Sequence, residues 1–446
     1  MFKTLKNAWG IPEIRKKILF TLFIIVIYRL GSVITVPFLD AAVVTQWMSE
    51  KASNGNFLEY LDILSGGALS KASLFSLGVQ PYINASIIIQ LLTYALPPLE
   101  RLQQEGEDGR KRLNAITSFV ALGLAAFMSV AYYLTLKSPT SDGSSAVKYT
   151  SGATGIFAMA VIIGCFMAGS SLVIWMGNRI NERGIGNGIS MILFAGITAR
   201  IPADLGTLAA YVSNEPKKYF FKVVIYLLIF VAMVIGIVYM NEAERRIPVQ
   251  YAKRVVGRKQ YGGQSSHIPV KICMSGVMPI IFAMSFMSLP SMFTIFKQPV
   301  EAITDTTTGG EKFYFHFVHF FSTRSYSYAA LYFILIILFN WFYVQIQYNP
   351  VEMANNLRQS NGGIPGIRPG KPTSDYIQRV LGKISLVGAV FLGVVAVFPI
   401  IFLKLTEIDV SSMGGTSILI VVSVAIETVR TLESQLMMRH HPGFLR

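Results

Sequence analysis

Leu64 to Leu92 reads LSGGALSKASLFSLGVQPYINASIIIQLL, and the contrast between its two ends decides the fold. From residue 75 to 96 the chain is apolar and uncharged. That length suffices to cross a hydrocarbon core of ~30 Å, which takes about 20 residues as helix. Leu64 to Ser73 is instead small and polar, with Gly66, Gly67 and Lys71, and is unsuited to lipid. Gly78 and Pro81 loosen the start of the apolar helix, and Gln80, Asn84 and Ser86 add uncharged polar groups that should face protein or water. Two readings of the polar end stay open. A half-inserted segment is tolerated at membrane depth only where it is buried in protein or lines a water-filled cavity, so it would imply a cavity. The alternative is an amphipathic helix lying on the membrane surface.

The rest of the chain extends this pattern. Of 446 residues, 52% are hydrophobic and 14% charged, against about 25% charged in soluble domains. Ten windows have the length and apolarity of a span: 18 to 38, 75 to 96, 114 to 136, 153 to 176, 185 to 203, 219 to 240, 271 to 295, 326 to 346, 384 to 403 and 413 to 430. The fifth is the weakest. The first is too long for a signal h-region and lacks a small-residue cleavage site, so it reads as a retained span. With an inside N-terminus, 26 of the 39 Lys and Arg fall on the inner side and 12 on the outer, with Arg29 inside the first span; the 24 acids divide evenly. The net charge of +15 is therefore a topology signal. Five spans in each half would permit an inverted repeat.

Arg29 is almost the only ionisable residue within the spans, which argues against an ion-coupled carrier, where acids or His sit near midplane. Two inner connections are long. Residues 241 to 271 interleave Arg245, Arg246, Lys253, Arg254, Arg258 and Lys259 with Tyr251 and Tyr261, a pattern suited to RNA or equally to anionic lipid. Residues 347 to 383 contain NGGIPGIRPG (361 to 370), a stiff series of turns presenting Arg368. Enzyme signatures are missing. GIGNG (184 to 188) lacks dinucleotide-binding spacing, and there is no phosphate-binding loop. Cys165 and Cys273 lie in apolar runs, and His316, His319, His440 and His441 lack acidic or Cys co-ligands, so no metal, cofactor or catalytic residue is expected.

Five blocks in order, LSGGALSKASLFSLGVQPYINASIIIQLL (64 to 92), NERGIGNGISMILFAGI (181 to 197), YAKRVVGR (251 to 258), PGIRPG (365 to 370) and GGTSILIVV (414 to 422), resemble the SecY family of protein-translocation channels. The resemblance implies an all-α membrane protein with ten transmembrane helices in two inverted five-helix halves, 1–203 and 204–446. These would form a clamshell around a central pore in a plasma membrane, with both termini cytoplasmic. It implies no enzyme activity, but passage of unfolded polypeptides and lateral release of helices into lipid. The implied pore ring is Val79, Ile83, Ile189, Leu193, Ile281 and Ile420; an apolar ring dewets and blocks ions while parting around a chain. The implied plug, about 60 to 73, includes Ser65, Gly66, Gly67, Ala68, Leu69 and Ser70. The implied lateral gate lies between spans two and seven, where Asn84, Gln90, Ser285 and Ser288 stand. Lys253 and Arg258 would meet ribosomal RNA, and Arg368 the SecA motor. Further implied partners are SecE and SecG, the signal-recognition-particle receptor, signal peptides, nascent chains and membrane lipid. Cys273 departs from the family's usual Asn, Val79 and Leu193 from its usual Ile, and residues 296 to 325 match no family motif.

Overall fold

A computed structural model describes residues 8–52, 62, 64–137, 145–251, 254–256, 259–261, 265–296, 314–317, 320–321, 325–406 and 415–439. The chain is mostly helical, and a helix overlaps each of the ten expected windows. In chain order the helices are α1 (Pro12–Gly31), α2 (Ala41–Ala52), α3 (Gln80–Ala95), α4 (Pro97–Gln104), α5 (Glu107–Lys137), α6 (Gly152–Arg183), α7 (Gly188–Thr198), α8 (Ile201–Asn214) and α9 (Pro216–Glu242). After a strand-bearing connection come α10 (Met278–Phe296), α11 (Tyr326–Gln347), α12 (Pro350–Gln359), α13 (Lys371–Thr406) and α14 (Gly415–Arg439). Among the described residues seven helical stretches have the length and apolarity to cross a membrane, or eight if α3 and α4, bent by 106° at Leu96, count as one. Length and composition among the described residues thus account for seven or eight of the ten windows as crossings. α1 starts early, carrying Arg15, Lys16 and Lys17 in its first turns, and stops at Gly31, where the β-branched run Val33 to Val36 takes over.

The helices differ in how much they bury. Half of the most apolar window of α5 and of α14 lies inside the protein, against 17% for α9. α9 thus presents Phe221, Leu228, Ile235 and Tyr239 outward, as a lipid-facing helix should. The weak fifth window becomes α7 and α8, broken at Ala199 and Arg200.

The 241 to 271 connection is a hairpin and not a plain basic loop. β1 (Glu244–Tyr251) pairs antiparallel with β4 (Ser265–Lys271), Ile247 opposite Ile268, and a short β2 (Arg254–Val256) pairs with β3 (Lys259–Tyr261) further out. β1 also pairs with β5 (Gly362–Gly363), which ties the two long connections into one sheet ordered β4-β1-β5. Ile247 and Val249 alternate inward from β1 and join Val270, Leu357, Ile364, Ile377 and Leu381 in a small separate core. The 347 to 383 connection is less of a loop than expected, because α12 and the first turns of α13 occupy most of it.

Candidate functional site: an apolar neck and the segment packed against it

The six apolar side chains expected at the pore come from four helices. Val79 caps α3 and Ile83 lies one turn on; Ile189 and Leu193 are one turn apart on α7; Ile281 comes from α10 and Ile420 from α14. Residues four apart share a helix face, so each pair presents together. All six are buried, none more than 9% exposed, and all belong to one continuous apolar cluster. α7 begins where it does because Asn187 is its N-cap. Its Oδ1 accepts from the Ile189 and Ser190 backbone N–H groups at 3.1 and 3.4 Å, while Asn181 Oδ1 accepts from Gly188 N–H at 2.7 Å.

A cavity of about 680 Å³ borders three of these six side chains. Leu193, Ile281 and Ile420 contribute to its lining, together with polar residues such as Asn241, Lys271, Glu427 and Arg430. Arg430 Nη2 donates to Glu242 Oε1 at 3.0 Å and to the Asn241 carbonyl at 3.1 Å, and Asn241 Nδ2 donates to Ser423 Oγ at 3.1 Å. Lys271, at the end of β4 and ahead of α10, has its amine pKa pushed below the ordinary lysine value, first by desolvation and then by the Arg430 charge. The cavity thus joins charged and amide side chains to apolar ones that include three of the six.

The segment around Leu64 to Ser73 lies on the neck, and its packing contradicts a surface-lying helix. Ala68, Leu69 and Ala72 are fully buried, and Leu64 belongs to the same apolar cluster as the six. Gly66 has φ +70°, and a Cβ there would fall 2.7 Å from the Gly196 carbonyl of α7; a Cβ on Gly196 would fall 2.7 Å from the Leu64 carbonyl. Only glycine at both places lets the two backbones touch. The segment's carbonyls meet side-chain donors from three helices: Tyr28 Oη to Ser65 at 3.3 Å, Arg29 Nη1 to Gly66 at 3.5 Å, Tyr132 Oη to Leu69 at 2.8 Å and Thr45 Oγ1 to Ser70 at 3.1 Å are bonds from α1, α5 and α2. The lone arginine of the first span is thus used on this segment. Asp62 adds an ion pair, its Oδ2 lying 2.5 Å from Arg200 Nη1. Residues 60, 61 and 63 of the expected plug lie outside the described residues.

The residues expected at the lateral gate lie on α3 and α10. Gln90 Nε2 donates to Ser86 Oγ of its own helix at 3.5 Å, and Asn84 Oδ1 is buried without a hydrogen-bond partner. Ser285 is buried on α10, and the Ser288 side chain lies outside the described residues, as do Lys253 and Arg258. Arg368 stands in a turn held by Ile367 N–H donating to the Ile364 carbonyl at 3.1 Å, with positive φ at Asn361, Gly366 and Gly370. Asp62, Arg200, Tyr28 and Tyr132 escape sequence reasoning. The only signal available is that Asp62 and Arg200 are charges at the margins of apolar runs in a charge-poor chain.

Comparison with known proteins places this architecture. The SecY family model matches residues 73–429. The chain is 38% identical over 442 residues to protein translocase subunit SecY of Mycobacterium tuberculosis (strain ATCC 25618 / H37Rv), covering 97% of both chains. It is 38% identical over 448 residues to that of Streptomyces coelicolor, covering 100% of both. Three solved structures are similar in fold. They are described as a protein conducting channel (TM-score 0.64, 17% identity), a SecY whose plug domain stabilises the closed state and maintains a membrane seal (0.63, 16%) and Sec61 in a canine ribosome-channel complex from the endoplasmic reticulum (0.61, 15%); each alignment covers 98% of both chains.

Proposed function

The chain belongs to the SecY family, and from that premise we propose how its parts serve as the protein-conducting subunit of a translocase. It is a multi-pass membrane protein. The observation that carries the reading is the burial of Val79, Ile83, Ile189, Leu193, Ile281 and Ile420 in one apolar cluster that borders a cavity of about 680 Å³. A passing polypeptide parts such a ring whatever its sequence, since dispersion and burial are non-directional. Once the chain has gone the ring closes and dewets, and ions see no hydrogen-bonding wall. Residues 60 to 73 act as the plug, on the support of the burial of Leu64 to Ser73 against α7. α3 and α10 are the two sides of a lateral gate through which transmembrane helices enter lipid. Asn84, with a buried unpartnered oxygen, is a group that opening would hydrate.

The two halves, 1–203 and 204–446, hinge near the junction of α8 and α9. The excess of bases on one face supports cytoplasmic termini, and the likeness to bacterial translocase subunits supports a plasma membrane. On that face the β4-β1-β5 sheet and the Arg368 turn form a rigid platform for a ribosome and a motor such as SecA; small single-span partners such as SecE and SecG would cover lipid-facing helices. The chain carries no chemistry of its own in this reading, and the driving energy comes from its partners. Reconstitution tests it. Proteoliposomes containing the purified complex should take up an unfolded precursor on addition of motor and ATP, and Arg368→Glu should abolish ATP-driven uptake while leaving the complex assembled. Full uptake by that variant would contradict the docking role, and no uptake by the unaltered complex would contradict the channel.

A further inference from the structure

Most of the grip on the plug is indifferent to plug sequence. Tyr28, Arg29, Thr45 and Tyr132 all donate to backbone carbonyls, which any residue would supply. Asp62 is different, because it is a plug side chain and its two oxygens do two separate jobs. Oδ1 accepts the Ser70 N–H at 2.7 Å, and the Asp62 carbonyl accepts the Gly67 N–H at 2.8 Å, so that Asp62 folds the segment on itself. Oδ2 meets Arg200 Nη1 at 2.5 Å, across 138 positions of sequence. The carboxylate side chain is 9% exposed and the guanidinium 23%, so this is a largely desolvated pair and not a surface contact. Arg200 is itself fixed. It stands at the break between α7 and α8, with its N–H on the Ile197 carbonyl at 3.1 Å and its carbonyl accepting from Asp204 N–H at 3.1 Å. α7 also supplies Ile189 and Leu193 of the neck.

We propose that the Asp62–Arg200 pair is the latch that sets how often the plug leaves the neck, with Arg200 as a positioning residue that couples the plug to α7, the helix carrying Ile189 and Leu193 of the ring. The proposal rests on reading residues 60 to 73 as a plug. Because Oδ1 keeps its bond to Ser70 when Oδ2 loses Arg200, the plug departs as a preformed loop and can reseat in the same form. Widening of the neck at α7 moves Arg200 and the ring together, so that a chain entering the ring also strains the latch.

The test is a double-mutant cycle in the reconstituted complex, read by chloride leak at rest and by motor-driven uptake of a precursor with a crippled signal peptide. Asp62→Asn and Arg200→Gln each remove the charge pair, and the amide oxygen introduced by Asp62→Asn can still accept from the Ser70 N–H. Each should raise both readouts about tenfold, and the double variant should do no more than either single one, the signature of residues acting through one contact. Asp62→Ala, which also loses the internal closure, should exceed Asp62→Asn. Gly66→Ile, which displaces the plug sterically and leaves Asp62 and Arg200 unaltered, serves as control. Single variants indistinguishable from the unaltered complex, or effects that multiply to about a hundredfold in the double, would overturn the latch while the control still leaks. A control that neither leaks nor admits the crippled precursor would overturn the plug reading itself.

Discussion

In the function proposed above, the neck and the plug close the same passage by opposite physics. The neck is six apolar side chains with no directional bond between them, held by packing in one cluster. The plug is held by donors aimed at carbonyls, by one ion pair and by a glycine-to-glycine backbone contact. Apolar packing tolerates exchange of one aliphatic for another of similar volume, whereas losing one partner of a buried hydrogen bond costs about 1–3 kcal/mol. A seal that every exported sequence must pass needs the first kind. A part that must return to one register after each passage needs the second.

The largest way to break the plug side is Gly196→Leu. Its Cβ would meet the Leu64 carbonyl at 2.7 Å, and overpacking at such a point costs about 1–3 kcal/mol; a lowered thermal midpoint of the detergent-solubilised complex and a raised resting leak should result. Tyr132→Phe removes one donor to Leu69 and should cost about 1 kcal/mol, seen as about a fivefold rise in uptake of signal-defective precursor. On the neck side, Ile420→Val should sharpen the contrast. It lowers stability by about 0.5–1.5 kcal/mol yet leaves resting conductance unchanged, since the ring remains apolar. The smallest effect concerns the cavity. Lys271 prefers its neutral form more than a free lysine does, so its acylation by an amine-directed reagent should rise at lower pH than that of lysine in a short peptide. For stability the sign follows from the same preference. The charged amine carries a penalty in the fold that is present at neutral pH and is relieved as pH rises through the lowered pKa toward the ordinary lysine value.

Hydropathy windows locate the helices because burial in lipid demands uninterrupted apolar runs, and every expected window holds one. They fail at the ends. α13 runs from Lys371, well before its window at 384, since its first turns, with Asp375, Arg379 and Lys383, are charged yet bury Ile377 and Leu381 against the sheet. The β1 and β4 strands were readable in principle from RRIPVQY and SSHIPVK, where apolar residues alternate, but basic charge dominates that stretch. The six proposed neck residues follow from motif positions, and the structure shows each of them buried in one large apolar cluster. The plug's fastening was not legible. Asp62 and Arg200 are 138 residues apart, and a donor aimed at a backbone carbonyl leaves no mark on the sequence of the segment it holds. Local pattern reveals what a residue is suited to touch, and only the fold reveals which distant partner it meets.

That the apolar ring is the seal is tested most directly by the ion conductance of planar bilayers carrying the purified complex with Ile83→Gly and Ile189→Gly together. Conductance at rest should rise well above that of the unaltered complex, because two side chains of the ring are removed and water enters the neck. A conductance of the Ile83→Gly, Ile189→Gly complex equal to that of the unaltered one, and no higher than that of Gly66→Ile alone when all three substitutions are combined, would contradict the claim.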